Sequence, residues 1–198
     1  MNKRIVNIAL AVVIIVLGFL VVESIMGPVR FKEYQEKREA MVVERLKLIR
    51  SAQLIHRTLY NSFVGDWDSL IYFMKNDHIP IVKMIPDLSN PDLPRTITDT
   101  IGFVKVADSV FKGVHFPVDS IPYIPFSGGE RFEINAGRIE RGGVTVNVFE
   151  ARAHYSTFLK GLNEQLVRNM IGESEQLERY PGLFVGSMTE PSSDGNWE

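Results

Sequence analysis

The side chains that could perform acid–base chemistry are few and do not form a familiar catalytic motif. The four histidines are His56, His78, His115 and His154. No two of them have the HxxxH, HxH or HExxH spacing of metal sites. Glu150, Arg152 and His154 alternate along a predicted strand, which places them on one face of a sheet, where they could act as an acid–base cluster. We interpret them instead as a solvated face with an ion pair, which typically stabilises by under about 1 kcal/mol.

Composition narrows the classes of protein further. The chain has no cysteine, which excludes disulfide bonds, thiolate metal sites and thiol catalysis. Neither GxSxG nor a phosphate-loop motif is present. The formal net charge is -2, from 22 basic and 24 acidic residues, and the basic and aromatic residues do not cluster as a nucleic-acid-binding face requires. We therefore predict a protein that is not an enzyme, has no cofactor or metal, and binds no nucleic acid.

A pair of aspartates, Asp66 and Asp68, could suggest a cation site. No further oxygen ligands cluster nearby, whereas a helix-forming run, LIYFMK, follows directly. We interpret the aspartates as caps of a short helix, because their carboxylates favour its positive end. Trp67, Tyr72 and Phe73 are then predicted to be core residues.

An aromatic, proline-rich patch, HFPVDSIPYIPFSGG, is the candidate contact surface of the chain. If they are exposed, Phe116, Tyr123, Ile124 and Phe126 could anchor a partner. If they are buried, the same side chains belong to the core, which is their usual state.

The elements that must position these residues begin with an apolar run over residues 5–22, IVNIALAVVIIVLGFLVV. As a helix this run spans about 27 Å, close to the hydrocarbon thickness of a bilayer. A cleaved signal peptide is the alternative, but the run is long for one and Pro28 disfavours cleavage after Gly27. We predict an uncleaved inner-membrane anchor. Lys3 and Arg4 favour a cytoplasmic N-terminus, which places the C-terminal domain in the periplasm.

A long amphipathic spine helix is predicted after the anchor. Gly27 and Pro28 predict a break, and helix formers resume at Phe31. The segment FKEYQEKRE carries no apolar stripe, so we expect a solvated stalk there and packing only from about Val42 onward. The apolar stripe comprises Met41, Val42, Leu48, Ile49, Ala52, Ile55 and Leu59.

The residue pattern in the second half of the chain predicts an antiparallel sheet. The predicted strands are IPIVKMI, GFVKVAD, SIPYIPF, RFEINAGRIE and VTVNVFEARAHY. The last two flank Arg141-Gly142-Gly143, a hairpin turn signal. We expect PDLSNPDLPRT to be a loop, ESEQLERY a short helix and GLFVGSM a final strand, while LVRNMI fits a strand or a helix. The predicted class is α+β, with a transmembrane helix and a spine helix packed on one antiparallel sheet of four or five strands.

Five segments follow from these patterns. Residues 1–4 are predicted to be a cytoplasmic tail and residues 5–24 the transmembrane anchor. Residues 25–40 are predicted to be a joint and a charged stalk. Residues 41–190 form the α+β extracytoplasmic domain, and residues 191–198 a flexible tail.

Several distinctive segments are spread along the chain, namely ESIMGPVRF, KREAMVVERLKLIRSAQ, FVGDWDSLIYFMKND, VDSIPYIPFSGGERFEINAG, VFEARA, YPGLFVGSMTE and GNWE. With them the chain resembles, over essentially its whole length, uncharacterised single-span envelope proteins of Bacteroidetes. The resemblance implies a place in the cell envelope and no particular activity.

A partial resemblance to the pseudopilins of type II secretion, and so to type IV pilins, lies in ERLKLIRSAQLIHRTLYNSFVGDWDSLIYFM. In those proteins a spine helix meets a globular head at this point, so the resemblance implies a pilin-like fold. Gly18 and Glu23 also match the G/FxxxE prepilin processing site. We interpret that match as coincidental, because cleavage there would discard the apolar run instead of keeping it.

The expected function is therefore protein–protein contact at a membrane. The chain would contact other envelope proteins or itself, and a subunit of a secretion or pilus-like assembly is one form that such contacts would take. The alternative is a periplasmic binding module that holds a small apolar or envelope ligand between spine and sheet.

Overall fold

The computed structural model describes residues 3–87, 95–113 and 117–198. It confirms the predicted α+β class, with a long N-terminal helix and antiparallel sheets. The helices are α1 (Lys3–Tyr60), α2 (Trp67–Asn76), α3 (Val106–Val110), α4 (Tyr155–Phe158) and α5 (Glu164–Gln176). The strands are β1 (His78–Asp87), β2 (Arg95–Lys105), β3 (Glu133–Arg141), β4 (Val144–His154) and β5 (Gly182–Gly186).

Helix α1 is continuous over 58 residues, and the predicted break at Gly27 and Pro28 is wrong. A proline in a helix removes one hydrogen bond, here the one to the carbonyl of Ser24. The helix continues because strong helix formers follow and its other bonds on both sides remain available. An 18-residue window of α1 has a mean hydropathy of 2.9 and no buried residue. Within the described part of the chain, α1 is the one helix long and apolar enough to cross a membrane.

The predicted solvated stalk is also corrected, because α1 joins the rest of the fold before residue 41. Phe31 is already buried in the core. Arg38 donates hydrogen bonds of 2.9 Å to the carbonyl oxygens of Phe158 and Lys160. We call residues 31–198 the head, since packing starts at Phe31.

The core of the head forms where α1 lies on β4 and β5. Val42, Leu46 and Ile49 are fully buried on α1, and Phe149 and Val185 are buried on the strands. Met41 departs from the predicted stripe, since its side chain is exposed. It precedes Val42 by one residue, which turns it about 100° away from the core.

Helix α2 begins as predicted, but one of its expected core residues is not buried. Asp66 caps it by accepting a 2.8 Å hydrogen bond from the Ser69 amide. Trp67 and Phe73 are buried, and Trp67 donates a 2.9 Å hydrogen bond to the Phe132 carbonyl. Tyr72 is exposed, because the buried face of α2 is formed by its neighbours at helical spacing.

The strands form two sheets where one was predicted. Among the residues that the structure describes, β1 and β2 pair only with each other, while β3, β4 and β5 form a second antiparallel sheet in that order. The β3–β4 hairpin turns at Gly142 and Gly143, both with positive φ, as the turn signal predicts. The predicted strand SIPYIPF forms turns after a short 3₁₀ helix (Val118–Ser120), since its two prolines supply no ladder N–H. Most of the predicted loop PDLSNPDLPRT lies outside the described residues.

The C-terminal part resolves one ambiguity and overturns one prediction. LVRNMI is helical and lies within α5. The predicted flexible tail is attached along the edge of β5 by hydrogen bonds from Gly186 N–H to Asp194 O and from Asn196 N–H to Phe184 O. Arg50 of α1 also holds the Glu198 carboxylate at 2.7 Å. The polar composition of the tail predicted disorder, but its polar groups bind β5 and Arg50, and these contacts order the tail.

Candidate contact surfaces

The predicted contact patch folds into a tightly held loop at residues 121–132. Ser127 is buried, and its hydroxyl accepts hydrogen bonds from the Gly129 and Glu130 amides at 3.2 and 2.9 Å. The same hydroxyl donates to the Ile124 carbonyl at 2.7 Å. Backbone hydrogen bonds from Ile124 to Glu130 and from Phe132 to Pro122 close the loop. The loop is therefore a rigid support for the side chains it carries.

The structure separates the four predicted contact residues. Tyr123 and Phe126 are 40% and 45% exposed, whereas Ile124 is buried in the core. Phe116 lies outside the described residues. The loop thus divides its apolar side chains between core and solvent, and two of the four predicted residues are available to a partner.

Phe126 is held at the surface in a conformation that bulky residues rarely adopt. Its φ is 64°, in the left-handed region. The Arg38 guanidinium lies 4.8 Å from the centre of its ring, in cation–π geometry. Because Arg38 also binds two backbone carbonyls, it links this aromatic ring to the position where α1 enters the head.

The possible acid–base cluster does lie on one sheet face, but its members are engaged in structural contacts. Arg152 binds Glu133 at 2.7 Å and Glu150 at 3.3 Å. His154 accepts a 3.1 Å hydrogen bond from the Ser156 amide and caps α4. This is the geometry of an ion-pair network beside a helix cap.

The remaining polar groups show no metal-binding arrangement where the structure describes them. His56 donates its Nδ1–H to the Ser62 carbonyl at 2.6 Å and packs on Tyr60 and Phe73, as expected of a satisfied histidine. Residues 3–87, 95–113 and 117–198 contain no group of three or more potential metal-ligating side chains.

An open cleft of about 620 Å³ lies between the end of α5 and the start of β5, lined in part by Tyr155, Leu177 and Tyr180. Burial, and then the negative charge of Glu133, raises the pKa of Tyr180 to about 12. Its hydroxyl is therefore protonated at neutral pH and would serve as a hydrogen-bond donor. The interface between α1 and the sheet, where the alternative binding module would hold its ligand, is filled by buried core side chains.

A second exposed surface, which sequence analysis missed, is the two-stranded sheet of β1 and β2, here called the β arm. Ile81 and Val82 of β1 are 42% and 43% exposed, and Ile101 and Phe103 of β2 are 61% and 69% exposed. The arm contacts the rest of the head chiefly at its base, where β2 meets α2 and α3. An isolated two-stranded sheet is marginally stable at best in water, so the exposed apolar side chains make the β arm a candidate contact surface. The alternation of apolar residues in IPIVKMI and GFVKV predicts strands with an apolar face. It does not reveal whether that face packs against the rest of the protein or stays exposed.

Comparison of the chain with protein-family models, curated proteins and solved structures found no match.

Proposed function

We propose that this chain is a non-enzymatic, membrane-anchored envelope protein whose head makes protein–protein contacts. The observation that carries the proposal is the continuity of α1. Its first half exposes apolar side chains along its length, and its second half forms the core of the head. One rigid element therefore connects an apolar segment suited to lipid with a folded domain.

The exposed apolar half of α1 supports the anchor. Residues 8–22 include Ile8, Leu10, Ile14, Ile15, Phe19 and Leu20, all more than half exposed. In water this surface would be strongly unfavourable, at roughly 25 cal/mol for each Å². In a bilayer the same side chains meet hydrocarbon, and the helix satisfies its own backbone groups.

The way α1 enters the head supports a pilin-like layout. The C-terminal half of the helix packs on β4 and β5, in the order of anchor, spine and sheet that the pseudopilin resemblance implies. The uninterrupted passage through Gly27 and Pro28 removes one difference from pilins, which keep this region as one helix. The head would then stand at a fixed distance and orientation above an inner membrane, on its periplasmic side, as a subunit of a secretion or pilus-like assembly.

A substitution in the apolar half tests the anchor directly. Val16→Arg places a charge near the centre of the span, which costs about 2.5–3.5 kcal/mol for membrane insertion. We expect a smaller fraction of this variant than of the parent chain in alkaline-washed membranes. Tyr34→Arg is the matched control, because Tyr34 is similarly exposed on α1 but lies beyond the span, and its membrane fraction should be unchanged.

A reporter fusion tests the orientation of the chain in the membrane. A reporter fused after Glu198 that is active only in the periplasm is the expected result. Activity only in the cytoplasm would contradict the proposed location of the head. Equal recovery of the parent chain and Val16→Arg from the soluble fraction would contradict the anchor itself.

A further inference from the structure

The two outer edges of the β arm differ in their ability to add another strand. β1 contains Pro80 and Pro86, which have no backbone N–H to donate. β2 contains no proline between Arg95 and Lys105. Prolines protect the edges of sheets, so the edge of β2 is the one suited to pairing.

One residue at that edge already lacks a partner on β1. The β1–β2 register slips between Ile81 and Val82, which pair with Gly102 and Thr100. Ile101, between those two residues, is opposite no residue of β1. Its side chain is 61% exposed.

We propose that the edge of β2 pairs with the same edge of a second copy of this chain, antiparallel and centred on Gly102. In that register Phe103 lies opposite Ile101 of the second copy, so two exposed apolar side chains of β2 meet each other. Aromatic and β-branched residues are favourable cross-strand partners. Lys105 then lies opposite Asp99 of the second copy, and both side chains are exposed in the single chain. The strand is thus self-complementary in shape and charge.

Anchoring in a membrane is the reason to propose a second copy of this chain as the partner of β2. This step rests on the proposed anchoring, since copies anchored by α1 have the same orientation and carry the β arm at the same height. A two-fold axis uses one patch on both subunits, which a self-complementary strand provides. The paired segment is only about 23 Å long, too small for a stable interface in solution, so confinement in the membrane supplies the effective concentration.

Cysteine crosslinking tests the register, because the chain has no cysteine of its own. Gly102→Cys places one thiol on the two-fold axis, and a Cβ there would meet only Ile81 Cδ1, at 3.9 Å. We expect a disulfide-linked dimer when native membranes containing the full chain are mildly oxidised. Lys83→Cys is the control. It lies on β1, three strand spacings from the β1 of its copy and displaced by six residues along the strands, so the two Lys83 positions are about 24 Å apart, beyond disulfide range.

Charge exchange tests the pairing independently. Asp99→Lys and Lys105→Asp each create two like-charged pairs in a homodimer, and we expect each to weaken dimer crosslinking roughly tenfold. Co-expression of the two variants restores both opposite-charge pairs, so heterodimers should form at the parent level. Loss in the single variants without recovery in the mixture would overturn the proposed register.

Fractionation separates this inference from the proposed function. If Gly102→Cys stays monomeric in the membrane fraction, or if Lys83→Cys crosslinks equally well, the pairing is wrong while the anchor stands. If the chain is recovered only in the soluble fraction, the anchor is wrong. A Gly102→Cys dimer in that fraction would still support the pairing. Its absence there would overturn the pairing together with the anchor, because without the anchor nothing confines two copies at the concentration that the small interface needs.

Discussion

At the scale of single residues, Glu39 shows how burial where α1 enters the head changes the pKa of a carboxyl. Glu39 is half-buried, and this burial raises the pKa of its carboxyl above the usual 4.5, although Gln35 donates a 2.9 Å hydrogen bond to it. The folded chain therefore binds this proton more tightly than the unfolded chain. As a result, the contribution of this carboxyl to the free energy of unfolding falls as the pH rises from 4.5 through the raised pKa.

Glu39→Gln should remove that pH dependence. The amide keeps the polar contact to Gln35 but carries no charge to desolvate, so we expect the variant to be more stable than the parent at neutral pH. Below pH 4.5 the two should have similar stability. Urea unfolding of the full chain in detergent at several pH values measures this difference. Glu33→Gln is the control, since Glu33 is exposed on α1, and it should show no comparable gain.

At the scale of elements, the turn between α1 and α2 is fixed by a buried glutamine. The Gln53 amide donates to the Val64 carbonyl at 2.6 Å and accepts from the Val64 amide at 2.9 Å. Gln53 is fully buried, so this pair of bonds replaces water for both backbone groups. It holds the start of α2 against the spine, and Asp66 then caps the helix.

Gln53→Leu should destabilise the head strongly. The substitution keeps the approximate size of the side chain but leaves the N–H and C=O of Val64 buried without partners, at about 1–3 kcal/mol each. Ser51→Ala, on the exposed face of α1, should change stability by less than about 0.5 kcal/mol. Chemical unfolding followed by tryptophan fluorescence measures both. Equal stability of the two variants would show that the Gln53 bonds do not hold the turn.

At the scale of the whole molecule, the two sheets differ in whether an edge strand is covered by another segment of the chain. Residues 193–198 cover the edge of β5, and the Asn196 side chain adds hydrogen bonds to Phe184 N–H at 3.1 Å and to Gly182 O at 2.9 Å. Trp197 packs back on Gly195, where an added Cβ would lie 2.3 Å from its ring. The head therefore closes one sheet edge with its own chain, while the edge of β2 has no strand beside it in the described part of the chain.

Deleting residues 193–198 should expose the edge of β5 and destabilise the head. The loss of backbone and Asn196 hydrogen bonds and of the Trp197 contact should cost about 2–3 kcal/mol. Glu198→Gln, which removes only the charge that binds Arg50, should have a smaller effect because exposed ion pairs stabilise little. Urea unfolding of both variants provides the comparison. An unchanged midpoint for the deletion would mean that the tail is as loosely held as its composition predicts.

Several features were predictable because their causes lie within a few residues. The apolar run of α1, the Asp66 cap and the Gly142-Gly143 hairpin each depend on local periodicity, a local hydrogen bond or a local φ requirement. Tyr123, Ile124 and Phe126, three of the four candidate contact residues, lie in one loop, but which of them is buried was not predictable. Ile124 and Phe126 are two residues apart and similar in polarity, and the loop turns one into the core and the other towards Arg38.

The sequence alone therefore determined an α+β protein with one long apolar helix, since helical and strand periods and turn residues are local properties. Only the tertiary structure decided that Pro28 lies inside an unbroken helix, that the strands divide into two sheets, and that the tail is held by Arg50. These outcomes depend on which distant segments pack together and which backbone groups find partners. Such contacts join residues far apart in the chain, so no local pattern of residues can reveal them.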